Sequence, residues 1–162
     1  MKQKNLISVY QAETAISNME GAKQYQLLKK HEIRNLRSFC EIMKSAGCPI
    51  SSFDGFYVGY SIKQIGKEFD LLRFGMQDVL NIEIKSELKQ ANKMQKLLMQ
   101  MKRNYYYLKL LDKPIIIIEY VENDGFFKYN ISRDTIERID AAEVAKTILR
   151  QIIDFSQDPD KL

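Results

Sequence analysis

A single histidine and two cysteines in 162 residues leave few ways to build a transition-metal or nucleophilic site. His31 stands alone, so any mechanism that needs a histidine pair is excluded, and beside Glu32 in a helical stretch it reads as an exposed helix residue. Cys40 and Cys48 have neither the paired spacing nor the histidines of a structural zinc site, and they read as free thiols of a reducing cytosol. No apolar run approaches the ~18 residues of a membrane span, and the opening "MKQKNLISVYQAETAIS" lacks the apolar segment of a secretory signal. The expectation is a cytoplasmic protein with no membrane partner. The motif of an ATP motor is missing as well. In "GYSIKQIGKE" the Gly-Lys pair lies at the wrong spacing from Gly59 for a P-loop, and Glu68 stands where a Ser or Thr should bind magnesium. No Gly-x-Ser-x-Gly elbow is present, and there is neither an internal repeat nor a low-complexity tract. Charge of one sign is not in strong excess either: 25 Lys+Arg against 21 Asp+Glu leaves +4, which does not by itself mark a nucleic-acid binder.

What is present is enough apolar content, 45%, for one domain and one core spanning residues 1–162. From Gly21 to Ala46 the residues Leu28, Ile33, Leu36, Phe39, Cys40 and Met43 recur at helical spacing, with Gly47 and Pro49 as a stop. The stretches "FDGFYVGYSI", "EFDLLRF" and "VLNIEIK" are short, rich in aromatic and β-branched residues and separated by Gly66 and Gly75, so they predict three strands in a meander. Helical periodicity returns from about Ser86 to Leu111, with Ala91, Met94, Leu97, Leu98, Met101, Tyr105 and Leu108 on one face. "KPIIIIEYV" predicts a fourth, central strand, and "NDG" at 123–125 turns the chain so that "FFKYNI" pairs back as a fifth. Ala141–Phe155 predicts a closing helix, after which 156–162 reads as a polar tail. The order gives an α/β domain with a mixed sheet of about five strands flanked by helices, its core at about 25–121 and a C-terminal hairpin and helix over 122–155.

Charges inside the predicted strands then need a reason. Alternate residues of a strand share a face, so Glu83 and Lys85 project together while Ile82 and Ile84 take the other side, and Glu68 and Asp70 share a face of the strand before. If the two strands pair, Asp70 comes close enough to Glu83 for both carboxylates to hold one divalent ion. Oxygen ligands favour magnesium or manganese over zinc. Lys85 would then stand beside the bound water, where an ammonium can neutralise charge developing on a phosphate. An acid and a lysine at this spacing also make a solvated cross-strand ion pair, and that alternative stays open.

Asp70, a gap of a dozen residues, and Glu83-Ile84-Lys85, in a helix, three strands, helix, strand order, resemble the PD-(D/E)XK nuclease superfamily. The likeness covers about 25–121, and it is greatest to small nuclease-like domains at the N-termini of bacterial and phage helicase-type proteins, where a "QLKRN" stretch follows on the next helix. Here that stretch reads Gln100-Met101-Lys102-Arg103-Asn104. The resemblance implies a restriction-endonuclease-like αβββαβ core, Asp70 and Glu83 as metal ligands for Mg2+ or Mn2+, and Lys85 as the catalytic lysine. It matches Glu32 to an upstream acid of the site and adds Gln100 to it. It also implies a helicase-type module in the same or a partner chain. Phe69 replaces the proline that names the motif, and Glu41 competes with Glu32.

Between Lys85 and Lys113 the basic residues Lys89, Lys93, Lys96, Lys102, Arg103 and Lys109 outnumber Glu87 and Asp112. Such a helix would hold DNA by its phosphates, without reading sequence, and Tyr106 or Tyr107 could stack on an unpaired base. RNA is the weaker alternative as substrate, because nothing reads a 2′-hydroxyl. The expected function is a divalent-metal-dependent nuclease acting on DNA. The alternative is a nucleic-acid-binding or assembly domain that keeps the nuclease fold without turnover, and the oligomeric state is left open.

Overall fold

The computed structural model of the chain describes residues 1–21, 23–62, 64, 66–87 and 91–161. Asn5 opens the first helix, α1 (Leu6–Ser17), where its side-chain oxygen accepts the N–H groups of Ile7 and Ser8 and so satisfies donors that a helix start leaves free. The sequence reading has no counterpart for α1. The second helix, α2 (Lys30–Ser45), begins later than the 21–46 periodicity predicts. Glu13, buried on α1, accepts the N–H groups of Leu27 and Leu28, and Glu32 accepts that of Lys29. Backbone donors ahead of Lys30 are thus held by carboxylates in place of helical carbonyls, and α2 starts after them.

Strands β1 (Tyr57–Ile62), β2 (Lys67–Phe74) and β3 (Val79–Lys85) form the expected antiparallel meander. Helix α3 (Lys93–Leu108) then crosses back, so that β4 (Ile115–Val121) runs parallel to β3, from Val79↔Ile115 to Lys85↔Val121. Asn123, at φ +66, turns β4 into β5 (Gly125–Asn130). A sixth strand, β6 (Thr135–Ile139), raises the count above the expected five and completes a mixed sheet in the order β1-β2-β3-β4-β5-β6. Its residues are mostly exposed and two are charged, so the periodicity is faint and the ladder with β5 is what holds it.

Helices α1, α2 and α4 (Ala141–Arg150) cover one face of the sheet through Phe39, Met43, Leu80, Ile82, Ile118 and Ile148. Helix α3 covers the other, through Met101 and Leu108 against Val79, Ile115 and Ile117. Helix α4 ends at Arg150, short of the predicted Phe155, because Arg73, 1% exposed, donates to Ile148 O and to the Gln151 side chain. The chain then turns extended and bonds to the end of β2 through Met76 N–H to Ile152 O and Asp154 N–H to Phe74 O. The polar tail is likewise tied down: the hydroxyls of Tyr57 and Tyr60 donate to Gln157 O and Pro159 O. Cys40 and Cys48 are buried free thiols, and burial pushes Cys40 up to about 12. Among the described residues no helix is long and apolar enough to cross a membrane.

Candidate active site

The three-strand meander is not uniform. Tyr57 and Tyr60 lie three residues apart yet share the aromatic cluster under α3, while Val58 faces the opposite core; Phe69, Leu72 and Leu71 repeat this on β2. The alternation therefore changes phase at Gly59, whose φ of +65 suits a residue without a Cβ, and at Asp70 across from it. In the neighbouring pairing the β2–β3 register runs from Phe74↔Val79 to Leu71↔Ile82. The next opposed positions are Asp70 and Glu83. Here side chains take over from the ladder: Asp70 N–H donates to Glu83 Oε2 at 2.7 Å, and Ile84 N–H donates to Asp70 Oδ2 at 2.9 Å. The sheet forks at this point, and the fork places both carboxylates.

The two acids have different surroundings. Asp70 lines a narrow cleft of about 40 Å³ with Glu32, Glu68, Leu36, Val58 and Ile84, which is ion-sized and far too small for a nucleotide. Burial pushes its carboxyl up, and the negative charges of Glu83, Glu68 and Glu32 add to this. Glu83, 3% exposed, points toward α3. Its Oε1 accepts from Asn104 at 3.1 Å and lies 3.7 Å from Lys67 Nζ, while its Oε2 also takes a weak bond from Asn81. Burial raises Glu83 too, with these donors pulling the other way.

A third acid, Glu119 on β4, stands opposite Glu83 in the parallel ladder. It is fully buried, and among the described residues neither of its oxygens has a hydrogen-bond partner. Lys85 Nζ lies 3.8 Å from its Oε1. Burial pushes Glu119 up to about 8; Lys85 opposes the rise, and the charges of Glu83 and Asp70 reinforce it. No family model, no curated protein and no solved structure matches the chain.

Glu83 and Lys85 share the face that the alternation predicts; Asp70 meets Glu83 through its backbone N–H, while its own carboxylate lines the cleft beside Glu32 and Leu36 of α2. Glu32 reaches the Asp70 cleft, whereas its competitor Glu41 forms an exposed pair with Arg37 at 3.0 Å. On α3 the side chain that bonds to Glu83 is Asn104, one turn beyond the half-buried Gln100. Asn104 bridges to Asn81 as well, and its own Oδ1 has no partner among the described residues. Sequence reading missed Asn104, Lys67 and Glu119; the signal for Glu119 was a lone acid closing the run "IIIIE".

The basic face is partly neutralised. Lys93 pairs with Asp124 and Lys102 with Asp134, each at 2.9 Å, while Lys109 caps the ring of the exposed Tyr106 at 4.5 Å. Lys96 and Arg103 are exposed on the same helix, and Lys89 lies outside the described residues. Tyr107 packs against the core. Asp70 and Glu83 are oxygen-only donors, which suits a hard cation. Among the described residues, however, no three or more His, Cys, Asp or Glu side chains are grouped as a metal site.

Proposed function

We propose that the chain is a divalent-metal-dependent nuclease with a restriction-endonuclease-like core, hydrolysing DNA phosphodiester bonds at the β2–β3 fork. The observation that carries this reading is the fork itself, where Asp70 and Glu83 bind each other's strands and Lys85 projects from the same face as Glu83. The order α2, β1, β2, β3, α3, β4, with β3 and β4 parallel, agrees with it. Asp70 and Glu83 would hold a magnesium or manganese ion, which supplies the positive charge that polarises a scissile phosphate. Lys85, part-exposed, offers an ammonium to the negative charge that grows on the phosphoryl oxygens. In the reaction the oxygen of water bonds to phosphorus, the bond from phosphorus to the leaving sugar oxygen breaks, and that oxygen takes up a proton as the water loses one. The exposed Arg103 and Tyr106 on α3 would contact phosphates and an unpaired base.

A second reading, a nucleic-acid-binding domain of the same architecture without turnover, is favoured by one observation. Both oxygens of Glu83 already accept hydrogen bonds, and Lys67 stands where a cation would approach. Calorimetric titration with manganese and a plasmid-nicking assay separate the two. The nuclease reading expects the parent to bind manganese and nick, and Asp70→Ala to lose both. A parent without manganese affinity favours the binding domain, and Asp70→Ala that binds and nicks like the parent removes the site from the fork.

A further inference from the structure

Strand β4 buries Ile115, Ile117 and Ile118, and then Glu119, which is 0% exposed. A fourth aliphatic side chain would have suited that surface, since an ionised carboxyl without a partner is costly there. Among the described residues the cation paired with Glu119 is Lys85, its Nζ 3.8 Å from Oε1, while the charge of Lys67 acts on Glu119 more weakly. Lys85 stands opposite Val121 in the ladder, so its side chain reaches back diagonally across two residues to meet Glu119. The nearer acid in sequence, Glu83, cannot compete for this ammonium on equal terms. Asp70 N–H, Asn81, Asn104 and Lys67 already occupy its two oxygens.

We infer that Glu119 is the positioning residue of Lys85: its buried carboxyl draws the ammonium to the β4 side of the fork and fixes it there, leaving Lys67 to Glu83. The role in turnover rests on the nuclease reading above; the fixing of the side chain does not. A lysine carries a flexible four-carbon stem, so without an anchor at its base the Lys85 ammonium would sample many positions at the mouth of the fork. Each acid then has one lysine within reach: Lys67 on β2 beside Glu83 on β3, and Lys85 on β3 beside Glu119 on β4.

The test uses protein labelled with 13C at the lysine ε-carbon, with Lys85→Arg and Lys67→Arg to assign the two signals, and spectra recorded at about pH 9 so that Glu119 is ionised. In the parent, the ε-methylene protons of Lys85 should be inequivalent and distinct from those of exposed lysines. In Glu119→Gln they should merge at the free-lysine position while the Lys67 signal stays. If the parent nicks plasmid at about pH 9, kcat of Glu119→Gln at that pH should fall roughly 10-fold or more with KM within about twofold, the pattern of a misplaced group whose binding role is small. Should the Gln variant fail to fold, Glu119→Leu, which matches the isoleucines beside it, gives the same readout. A Lys85 signal unchanged by either substitution overturns the inference, as does joint collapse of the Lys67 and Lys85 signals, which would mean general loosening. A parent that does not nick while Glu119→Gln still frees Lys85 sinks the nuclease reading and supports the positioning role.

Discussion

Replacing Glu119 by Gln should make the protein more stable at high pH and change little at low pH. The folded-state value of about 8 for this carboxyl stands above the 4.5 of a free glutamate, because burial disfavours the charged form. A group raised in this way contributes stability that is fully present below the unfolded value and is lost as pH rises through the folded one. The parent should therefore weaken across about pH 4.5 to 8 and level off above it. A rise of this size, at about 1.4 kcal/mol per pH unit, corresponds to an upper bound near 5 kcal/mol for the lost stability. Relaxation around the carboxylate would bring it to about 2–3 kcal/mol, which for a chain of this length is a shift of roughly 5–10 °C in Tm. Gln keeps the shape of the neutral acid and cannot ionise. Lys85, left without its counter-charge, is 27% exposed and can be hydrated. Thermal melts of parent and Glu119→Gln in EDTA at about pH 5 and pH 9 measure the difference. The two should melt close together at the lower pH, and the variant should melt higher at the upper. Equal gaps at both values, or a variant that melts lower at pH 9, would refute a buried, desolvated Glu119.

Lys85→Ala should bind manganese as the parent does, or slightly more tightly, because a positive charge near the cation is gone; its nicking rate should fall roughly 10²–10³-fold, and an unchanged rate would remove Lys85 from the chemistry. Arg73→Met should lose about 3–5 kcal/mol, since the carbonyls of Ser52, Asp54 and Ile148 and the side chain of Gln151 lose a buried charged donor together; a urea midpoint lowered by less than the equivalent of ~1 kcal/mol would mean that the carbonyls find other partners. Arg103→Ala should weaken DNA binding and reduce the slope of log affinity against log salt by roughly 1 for duplex DNA. An unchanged slope would place the DNA on a face other than α3.

Much of the scaffold was legible along the chain because it rests on short-range periodicity. The spacing of Ile33, Leu36, Phe39, Cys40 and Met43 needs only the 3.6-residue turn to predict α2, and the alternation of Ile82, Glu83, Ile84 and Lys85 needs only the pleat to put an acid and a lysine on one face of β3. Turn chemistry at Asn123-Asp124-Gly125 was equally local. Boundaries were less so. The start of α2 depends on Glu13 of a helix earlier in the chain, and the end of α4 depends on Arg73 of a strand, so neither is written in the segment that it limits. Strand β6 carries too little apolar pattern to stand out until β5 lies beside it.

The site divides in the same way. Sequence by itself determined that Asp70, Glu83 and Lys85 fall in strands and that the last two share a face, because residue spacing and strand geometry suffice for that. Only the tertiary structure decided what surrounds them. The fork at Asp70 arises where Gly59, on another strand, lets β1 change phase. Asn104 meets Glu83 only because α3 crosses over the sheet, and Glu119 meets Lys85 only because that crossover makes β4 parallel to β3. Burial, which raises Asp70, Glu83 and Glu119, comes from neighbours distant in sequence. Desolvation and Coulomb energy depend on distances through space, and a linear chain specifies those only once it has folded.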